Sequence, residues 1–389
     1  MLSVGLTTVL IVGTDFIDLL VYRLGATVLL DDGGIYGALP AVVDDFGLPF
    51  TYPPLAAILF VPLALIPIGL GKFAFTLVSV VALAVTLRMV LGRVRPQWST
   101  RAAWTATAAA VAVALLLEPV RETISFGQIN IVLMALVAVD VLARKPKWPR
   151  GVLIGLAAAV KLTPIGFLLL FLLRRDWRTS GHIVGGALGL TALAYVFMPG
   201  TSTKYWSEVL PNTDRIGAAY FANNLSLKAV ISRFDVPEHL GSVFWLVAAA
   251  LALAVAVLAI RRALSHGDLV LALTANATAI LLASPVSWSH HWVWVAPTLL
   301  ALVLGLARPL GRATAFTATG IGAIFVIGPH HLLPSRDDHE LDWMLWQHLL
   351  GTLYVSVGVG FLVWLACKYR KPSIGKTFLN TPYNSLTRE

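Results

Sequence analysis

Asp15-Phe-Ile-Asp18-Leu-Leu-Val-Tyr22-Arg23-Leu-Gly25, with Phe50-Thr-Tyr52-Pro53-Pro54-Leu-Ala-Ala57 after it, sets two carboxylates, a phenol and a guanidinium just past the first hydrophobic segment of the chain. Almost everything downstream is apolar and helical in pattern. The later segments therefore read as a scaffold that holds a membrane-embedded pocket over those carboxylates. Asp15 and Asp18 are three apart and share one face of a helix. A partly desolvated carboxylate near a membrane surface can act as general base for a hydroxyl. Asp15 serves equally well as an N-cap for a helix over residues 17–30.

Composition gives the class. Of the 389 residues, 58% are hydrophobic and 13% charged, where soluble domains carry about a quarter charged residues. The expectation is an all-α polytopic membrane protein. The formal charge of +9 does not point to nucleic acid, because the bases sit in short clusters between apolar runs rather than in a basic domain. The clusters are Arg88, Arg93, Arg95 and Arg101; Arg144, Lys145, Lys147 and Arg150; Arg174, Arg175 and Arg178; Arg261 and Arg262; Arg308 and Arg312; and Lys368, Arg370 and Lys371. They hold 18 of the 29 basic residues, while the intervening loops 15–50, 118–128, 199–242, 284–292 and 330–342 carry 16 of the 20 acids. The basic side should face the cytoplasm and the acidic side the outside. Cys367 is the only cysteine, which excludes internal disulfides and cysteine-rich metal sites.

Keeping Asp18 and Glu118 outside and residues 88–101 inside requires that residues 51–67 do not cross fully. Prolines 53, 54, 62 and 67 agree, since proline interrupts the helical hydrogen-bond ladder. Residues 151–173, flanked by basic clusters and broken at Lys161-Leu-Thr-Pro164, should form two half-helices or a re-entrant hairpin buried in protein or lining a cavity. About ten full spans remain by the roughly 20-residue rule. Residues 1–13 read as a retained first helix rather than a signal peptide, having no basic leader and no small-residue cleavage site. Residues 1–371 are expected to form one integral-membrane domain, and 372–389 a short disordered cytoplasmic tail.

Polar residues near membrane depth carry the functional signal. In Glu118-Pro-Val-Arg121-Glu122-Thr-Ile-Ser-Phe-Gly127-Gln128-Ile-Asn130, Arg121 can face a phosphate while Gln128 and Asn130 bind hydroxyls, a set suited to a sugar phosphate. Glu118 and Arg121 can also simply pair and staple the loop. Lys161 is either a snorkelling or paired lysine or a phosphate contact. In Ser284-Pro-Val-Ser287-Trp288-Ser-His290-His291-Trp292-Val-Trp294, adjacent histidines point about 100° apart on a helix, so they make poor co-ligands of one metal. One of them can donate to a phosphate. The tryptophans fit either an interfacial belt or stacking on a sugar. His330 and His331, beside a run of acids, read as a solvated loop. The loop at 199–240, with Arg215 and Asn223-Asn224-Leu-Ser226, is polar enough to cover a substrate mouth. There is no Walker loop, dinucleotide fingerprint or zinc-protease motif.

DFIDLLVYRLGATVLL, GLPFTYPPLAAILFVPLALIP, EPVRETISFGQIN, GLAAAVKLTPIGFLLLFLLRRDW, NTDRIG and SPVSWSHHWVW, in that order, resemble the actinobacterial polyprenol-phosphate-mannose-dependent α-1,2-mannosyltransferases of the GT-C superfamily. The resemblance runs from Asp15 to about Trp294. It implies a GT-C-type bundle of ten or more transmembrane helices with short broken and interfacial helices. It further implies inverting transfer of mannose from a lipid phosphate to a glycolipid such as a phosphatidylinositol mannoside or a lipomannan, on the outer face of the cell membrane. The family's catalytic aspartate sits in a D-x-x-VY context, which here is Asp18, with Asp15 and Glu118 as alternative bases. Arg121, Lys161 and His290 or His291 become candidates for the phosphate; Gln128, Asn130, Arg215, Tyr22 and Tyr52 are candidates around the substrates. The lipid tail is expected in a groove bordered by residues 51–67 and 151–173. No cofactor and no metal are called for.

Two other readings share features of this sequence. A related arabinofuranosyltransferase using a decaprenyl-phosphate-arabinose donor would keep the fold and the acidic outer loop. A transporter or flippase of lipid-linked sugars would also use broken helices at cavity depth, but needs no base.

Overall fold

The computed structural model describes residues 15–31, 33–41, 47–234, 236–305, 312–335 and 337–369. The expected first helix at 1–13 and the tail at 372–389 lie outside the described residues. Within them the protein is helical, and its one β-type contact is an isolated antiparallel bridge between Asn224 and Trp288. In chain order the α-helices are α1 (Ile17–Leu30), α2 (Pro54–Leu65), α3 (Ile68–Val94), α4 (Thr100–Ala114), α5 (Glu118–Ser125), α6 (Asn130–Leu142), α7 (Val152–Val160), α8 (Leu168–Leu173) and α9 (Trp177–Phe197). They continue as α10 (Pro199–Lys204), α11 (Leu227–Ser232), α12 (Glu238–Ser265), α13 (Leu269–Ala283), α14 (Val295–Gly305), α15 (Arg312–Ile327), α16 (Leu345–Gly351) and α17 (Leu353–Lys368).

Three helices, α3, α9 and α12, are long and apolar enough to cross a membrane. Two bent pairs, α4 with α5 at 80° and α16 with α17 at 61°, raise the number to five if each is one span. The other apolar helices are shorter. At 14 residues α1 is about 21 Å long, well under the roughly 30 Å hydrocarbon layer.

Local chemistry explains where the helices start. Of the four acids outside the acidic loops, the three that lie among the described residues serve helix N-termini. The Asp140 carboxylate accepts from the backbone N–H of Gly151 and Ile154 at 2.9 and 3.1 Å, Asp176 from Thr179 and Asp268 from Leu271, each of the last two at 3.0 Å. Each satisfies donors that a helix leaves orphaned. α7 then packs against α9 almost backbone to backbone. A Cβ on Gly155 would stand 2.8 Å from the carbonyl oxygen of Ile183 and 3.0 Å from the Cα of Gly186, so only glycine permits this crossing.

The helix interruption expected at Lys161 is present. α7 ends at Val160, a tight turn of helix spans Thr163–Phe167, and α8 resumes at Leu168. Asn276, the one amide on α13, repairs the break: it donates to the Gly166 carbonyl and accepts from the Leu170 N–H, both at 3.0 Å. Backbone groups freed inside an apolar bundle need such a partner. Proline punctuation in residues 51–67 likewise yields a 12-residue helix, α2, with Pro62 inside it.

α1 begins against the end of α5. The backbone N–H groups of Phe16, Asp18 and Leu19 donate to the carbonyls of Ser125 and Phe126 at 3.0–3.1 Å. The orphan donors of one helix thereby meet the orphan acceptors of another. Asp15 does not cap α1: Phe16 occupies that position in a left-handed conformation, φ 47°, and Asp15 is exposed beyond it. Arg23 locks the other side of α1 by donating to the carbonyls of Leu63 and Ile66 at the end of α2, at 2.6 and 2.5 Å. Gly127 closes the α1–α5 junction at φ +64°, where a Cβ would sit 2.7 Å from the Cβ of Leu19. Gly127→Ala is expected to cost about 1–3 kcal/mol through its left-handed backbone alone, lowering the thermal midpoint in detergent and shifting Gln128 next to it.

Candidate active site

Gln128 joins α1 to the loop before α2. Its Oε1 accepts from the Tyr22 hydroxyl at 2.7 Å and the Tyr52 hydroxyl at 3.0 Å, and the two phenols are 2.8 Å apart. With its oxygen so occupied, the Gln128 amide N–H is left to hydrogen-bond the Asp18 carboxylate. Tyr22 is fully buried, stacked on Phe60 with ring centroids 4.2 Å apart and edge-on to Tyr52. Asp18 is thus held by a rigid aromatic floor, four residues before Tyr22 on the same face of α1. Its carboxylate is half-buried. Burial pushes the carboxyl up from the ordinary range to about 6, against the lowering pull of the Lys161 charge and the Gln128 hydrogen bond.

Lys161 stands at the break between α7 and the Thr163–Phe167 turn. Its ammonium donates to Asn130 Oδ1 at 2.8 Å, lies 3.3 Å from His291 Nε2, and sits 5.4 Å from the Tyr52 ring centroid. A lysine only donates, so His291 Nε2 is the acceptor and its Nδ1 carries the proton. Burial, reinforced by Lys161, holds both His290 and His291 well below the usual imidazole range, His290 at about 3. They are neutral donors and acceptors rather than cations. The carbonyl of His290 is fixed by Thr123 at 2.8 Å and Asn130 at 3.1 Å, which ties the Ser289–Trp294 segment to α5 and α6.

These groups edge a pocket walled by Met134, Phe167, Ile280, Leu281 and Trp294, with Asn130, Lys161 and His291 at its polar end. Residues of α2 do not line it, so the groove expected between 51–67 and 151–173 is bordered by the second segment alone, with α6, α13 and Ser289–Trp294 supplying the other walls. The long loop reaches its mouth as expected. Leu225 N–H donates to the Ser287 carbonyl at 2.7 Å, Ser289 N–H to the Asn223 carbonyl at 2.9 Å, and Ser287 N–H to Asn224 Oδ1 at 2.9 Å. Arg215 bonds the Tyr36 carbonyl at 2.9 Å, and Tyr36 in turn donates to the Tyr52 carbonyl at 2.8 Å. Arg215 is thereby linked to Tyr52 through Tyr36.

Several residues fall elsewhere. Arg121 donates to the carbonyls of Leu116 and Val326 at the ends of α4 and α15, at 2.8 and 3.3 Å. It forms neither the expected staple with Glu118 nor part of the pocket. A guanidinium within reach of unsatisfied helix carbonyls goes to them. Glu118 is buried against His331 and Tyr354, away from Asp18. His330, expected in solvent, is 1% exposed. Trp292 and Trp294 are buried inside the fold rather than belting an interface, with Trp292 against Phe325 and Tyr354. Asn276 and Tyr354 were not singled out from sequence, although a lone amide in an apolar helix is the signal that would have found Asn276.

A half-buried carboxylate within reach of an ammonium charge, the ammonium having hydrogen-bonding neighbours and standing at the polar end of an apolar cleft, suits transfer of a group from an amphiphilic anion. Comparison with known sequences agrees. A sequence model of glycosyltransferase family 87 matches residues 50–285. The chain belongs to glycosyltransferase family 87. A polyprenol-phosphate-mannose-dependent α-(1-2)-phosphatidylinositol mannoside mannosyltransferase of Mycolicibacterium smegmatis is 41% identical to this family 87 chain over 87% of it and 81% of the relative. A protein of the same description from Mycobacterium tuberculosis is 35% identical over 96% and 88%. A phosphatidylinositol pentamannoside mannosyltransferase of M. tuberculosis is 33% identical over 92% and 83%. No solved structure matches.

Proposed function

We propose that this family 87 glycosyltransferase moves mannose from polyprenol-phosphate-mannose to a hydroxyl of a phosphatidylinositol mannoside, with inversion, as an α-1,2 linkage. The observation that carries the reading is that Lys161, Asn130 and His291, from three separate segments, meet at the polar end of an apolar cleft, with the Asp18 carboxylate of α1 within reach of the Lys161 charge. The relatives named above, 33–41% identical, are all described as mannosyltransferases with this donor.

In this mechanism the acceptor hydroxyl attacks the anomeric carbon as its proton passes to Asp18. The bond from that carbon to the phosphate oxygen breaks, and polyprenyl phosphate leaves with the electron pair. Lys161 offsets the charge growing on the phosphate, with the His291 N–H beside it. Gln128, fixed by Tyr22 and Tyr52, holds Asp18, Asn130 holds Lys161, these side chains line the sugar's approach, and Arg215 positions Tyr52 through Tyr36. Met134, Phe167, Ile280 and Leu281 give the first isoprene units an apolar wall. Residues 1–371 act as one multi-pass unit of about ten full spans, with the short helices at 51–67 and 151–173 not counted among them and Asp18 on the extracytoplasmic side; the acid-rich loops and base-rich clusters support that orientation.

Membranes carrying the protein should transfer radiolabelled mannose from polyprenol-phosphate-mannose to a glycolipid of the phosphatidylinositol mannoside class. Folded protein that labels no acceptor with mannose, but does so with the arabinose donor, would replace the reading with arabinofuranosyl transfer.

A further inference from the structure

Glu118, in the first turn of α5, meets the Pro329–Leu332 turn across 213 residues of sequence. His331 Nε2 is 3.0 Å from Glu118 Oε1, and His330 Nε2 is 3.8 Å from the same oxygen. One ligand-type atom from each of the three residues lies within 4.8 Å of the other two. Glu118 and His330 are each 1% exposed, and His331 is exposed, its side chain to 35%. None of the three lines the pocket.

Two features of this cluster are unexplained by packing. His330 Nε2 is buried and has no hydrogen-bond partner among the described residues. A buried polar nitrogen left so is costly. At 3.8 Å it is too far from the carboxylate for a hydrogen bond, yet it stands on the same oxygen as its neighbour. The second feature is that the other carboxylate oxygen, Oε2, already accepts from the Tyr354 hydroxyl at 2.7 Å. A phenol bonded to a carboxylate in this manner orients it toward whatever its other oxygen binds. The turn carrying the histidines is pressed onto Glu118 at Gly328, φ +63°, where a Cβ would come within 2.8 Å of Glu118 Cγ.

We infer that Glu118, His330 and His331 form a binding site for a divalent transition-metal ion of the zinc type, separate from the catalytic pocket. Two imidazoles and one carboxylate are a donor set that zinc accepts with a fourth position open. Zinc–ligand bonds of 2.0–2.1 Å in a tetrahedron place donor atoms about 3.3 Å apart, and the 3.0 and 3.8 Å separations to Glu118 bracket that value. The exposed His331 side leaves the fourth position to water or to Glu122, one turn along α5 and close enough for its charge to act on His331. The ion would clamp the Pro329–Leu332 turn and α17, through Tyr354, to α5. α5 also holds the His290 carbonyl by Thr123, so the clamp would brace the segment that carries His291.

The test uses untagged full-length protein in detergent, stripped with EDTA and titrated with Co2+ and then Zn2+. Wild type should show the visible bands of low-symmetry Co2+, saturating at one equivalent and displaced by one equivalent of Zn2+. Zinc should also raise the thermal midpoint by mass action. His331→Ala, a change at the exposed ligand, should lose the bands, and Tyr354→Phe should keep one site with affinity about 10–100-fold weaker. Absence of saturable Co2+ and Zn2+ binding by folded wild type would overturn the site, as would a His331→Ala protein that binds with wild-type stoichiometry and affinity. The wild-type titration decides even if a variant fails to fold.

Discussion

Asp18→Asn should lower mannosyl transfer by about 10²- to 10⁴-fold, the range that a positioned general base supplies, and should do so without loss of stability. The second half separates a catalytic role from a structural one. The Asp18 carboxyl is raised from 3.8 to about 6, with burial the main cause. For an aspartate raised in the folded state, the folded form holds the proton more tightly than the unfolded form. Its ionisation therefore opposes folding: the penalty is absent below about pH 4, grows up to about pH 6 and is constant above that. Removing the charge at neutral pH relieves the penalty, so the Asn variant should melt at the wild-type temperature or above it. Activity moves the other way with pH. The base works only when ionised, so kcat/KM of the wild type should fall on the acid side of about pH 6, roughly tenfold per unit once fully protonated. Transfer assays over pH 4.5–8 beside thermal melts would check both. An Asn variant that is as active as wild type would move the base to another carboxylate.

Much of this arrangement is readable from local sequence. The helix at Ile17–Leu30, the interruption at Lys161 and the short helix after Pro53-Pro54 follow from periodicity and proline, which act over a few residues. Asp18, Gln128, Asn130, Lys161 and His291 were candidates because polar groups in apolar sequence need partners. What the sequence did not show was which partner each would find. Arg121 and Glu118 are three apart and looked like a pair, yet the nearest unsatisfied groups to Arg121 were helix-end carbonyls, whose positions depend on the 80° bend between α4 and α5. Glu118 instead found His330, His331 and Tyr354, all more than 200 residues away, and no local spacing encodes that contact. Charge parity implied about ten full spans, whereas among the described residues three helices are long and apolar enough to cross, or five with the two bent pairs, and several other apolar helices there are only 10–17 residues long.

Lys161→Met should reduce kcat/KM for the lipid-phosphate donor by about 10²- to 10³-fold, the cost of removing one donor from a site of developing negative charge. The same change should move the acid limb of the pH profile. Lys161 is the leading influence that lowers the Asp18 carboxyl against burial. Without it the base holds its proton to a higher pH, so the limb should shift above the wild-type value of about 6 in the variant's residual activity. A lysine that only anchored the broken helix would not produce that shift. Lys161→Arg keeps the charge but cannot reproduce the compact geometry that reaches Asn130 Oδ1 at 2.8 Å and His291 Nε2 at 3.3 Å together. It should therefore retain the wild-type pH limb while losing part of the rate. If both variants showed the same limb as wild type, Lys161 would be acting on the fold and not on the base, and the charge opposite Asp18 would have to come from the donor itself.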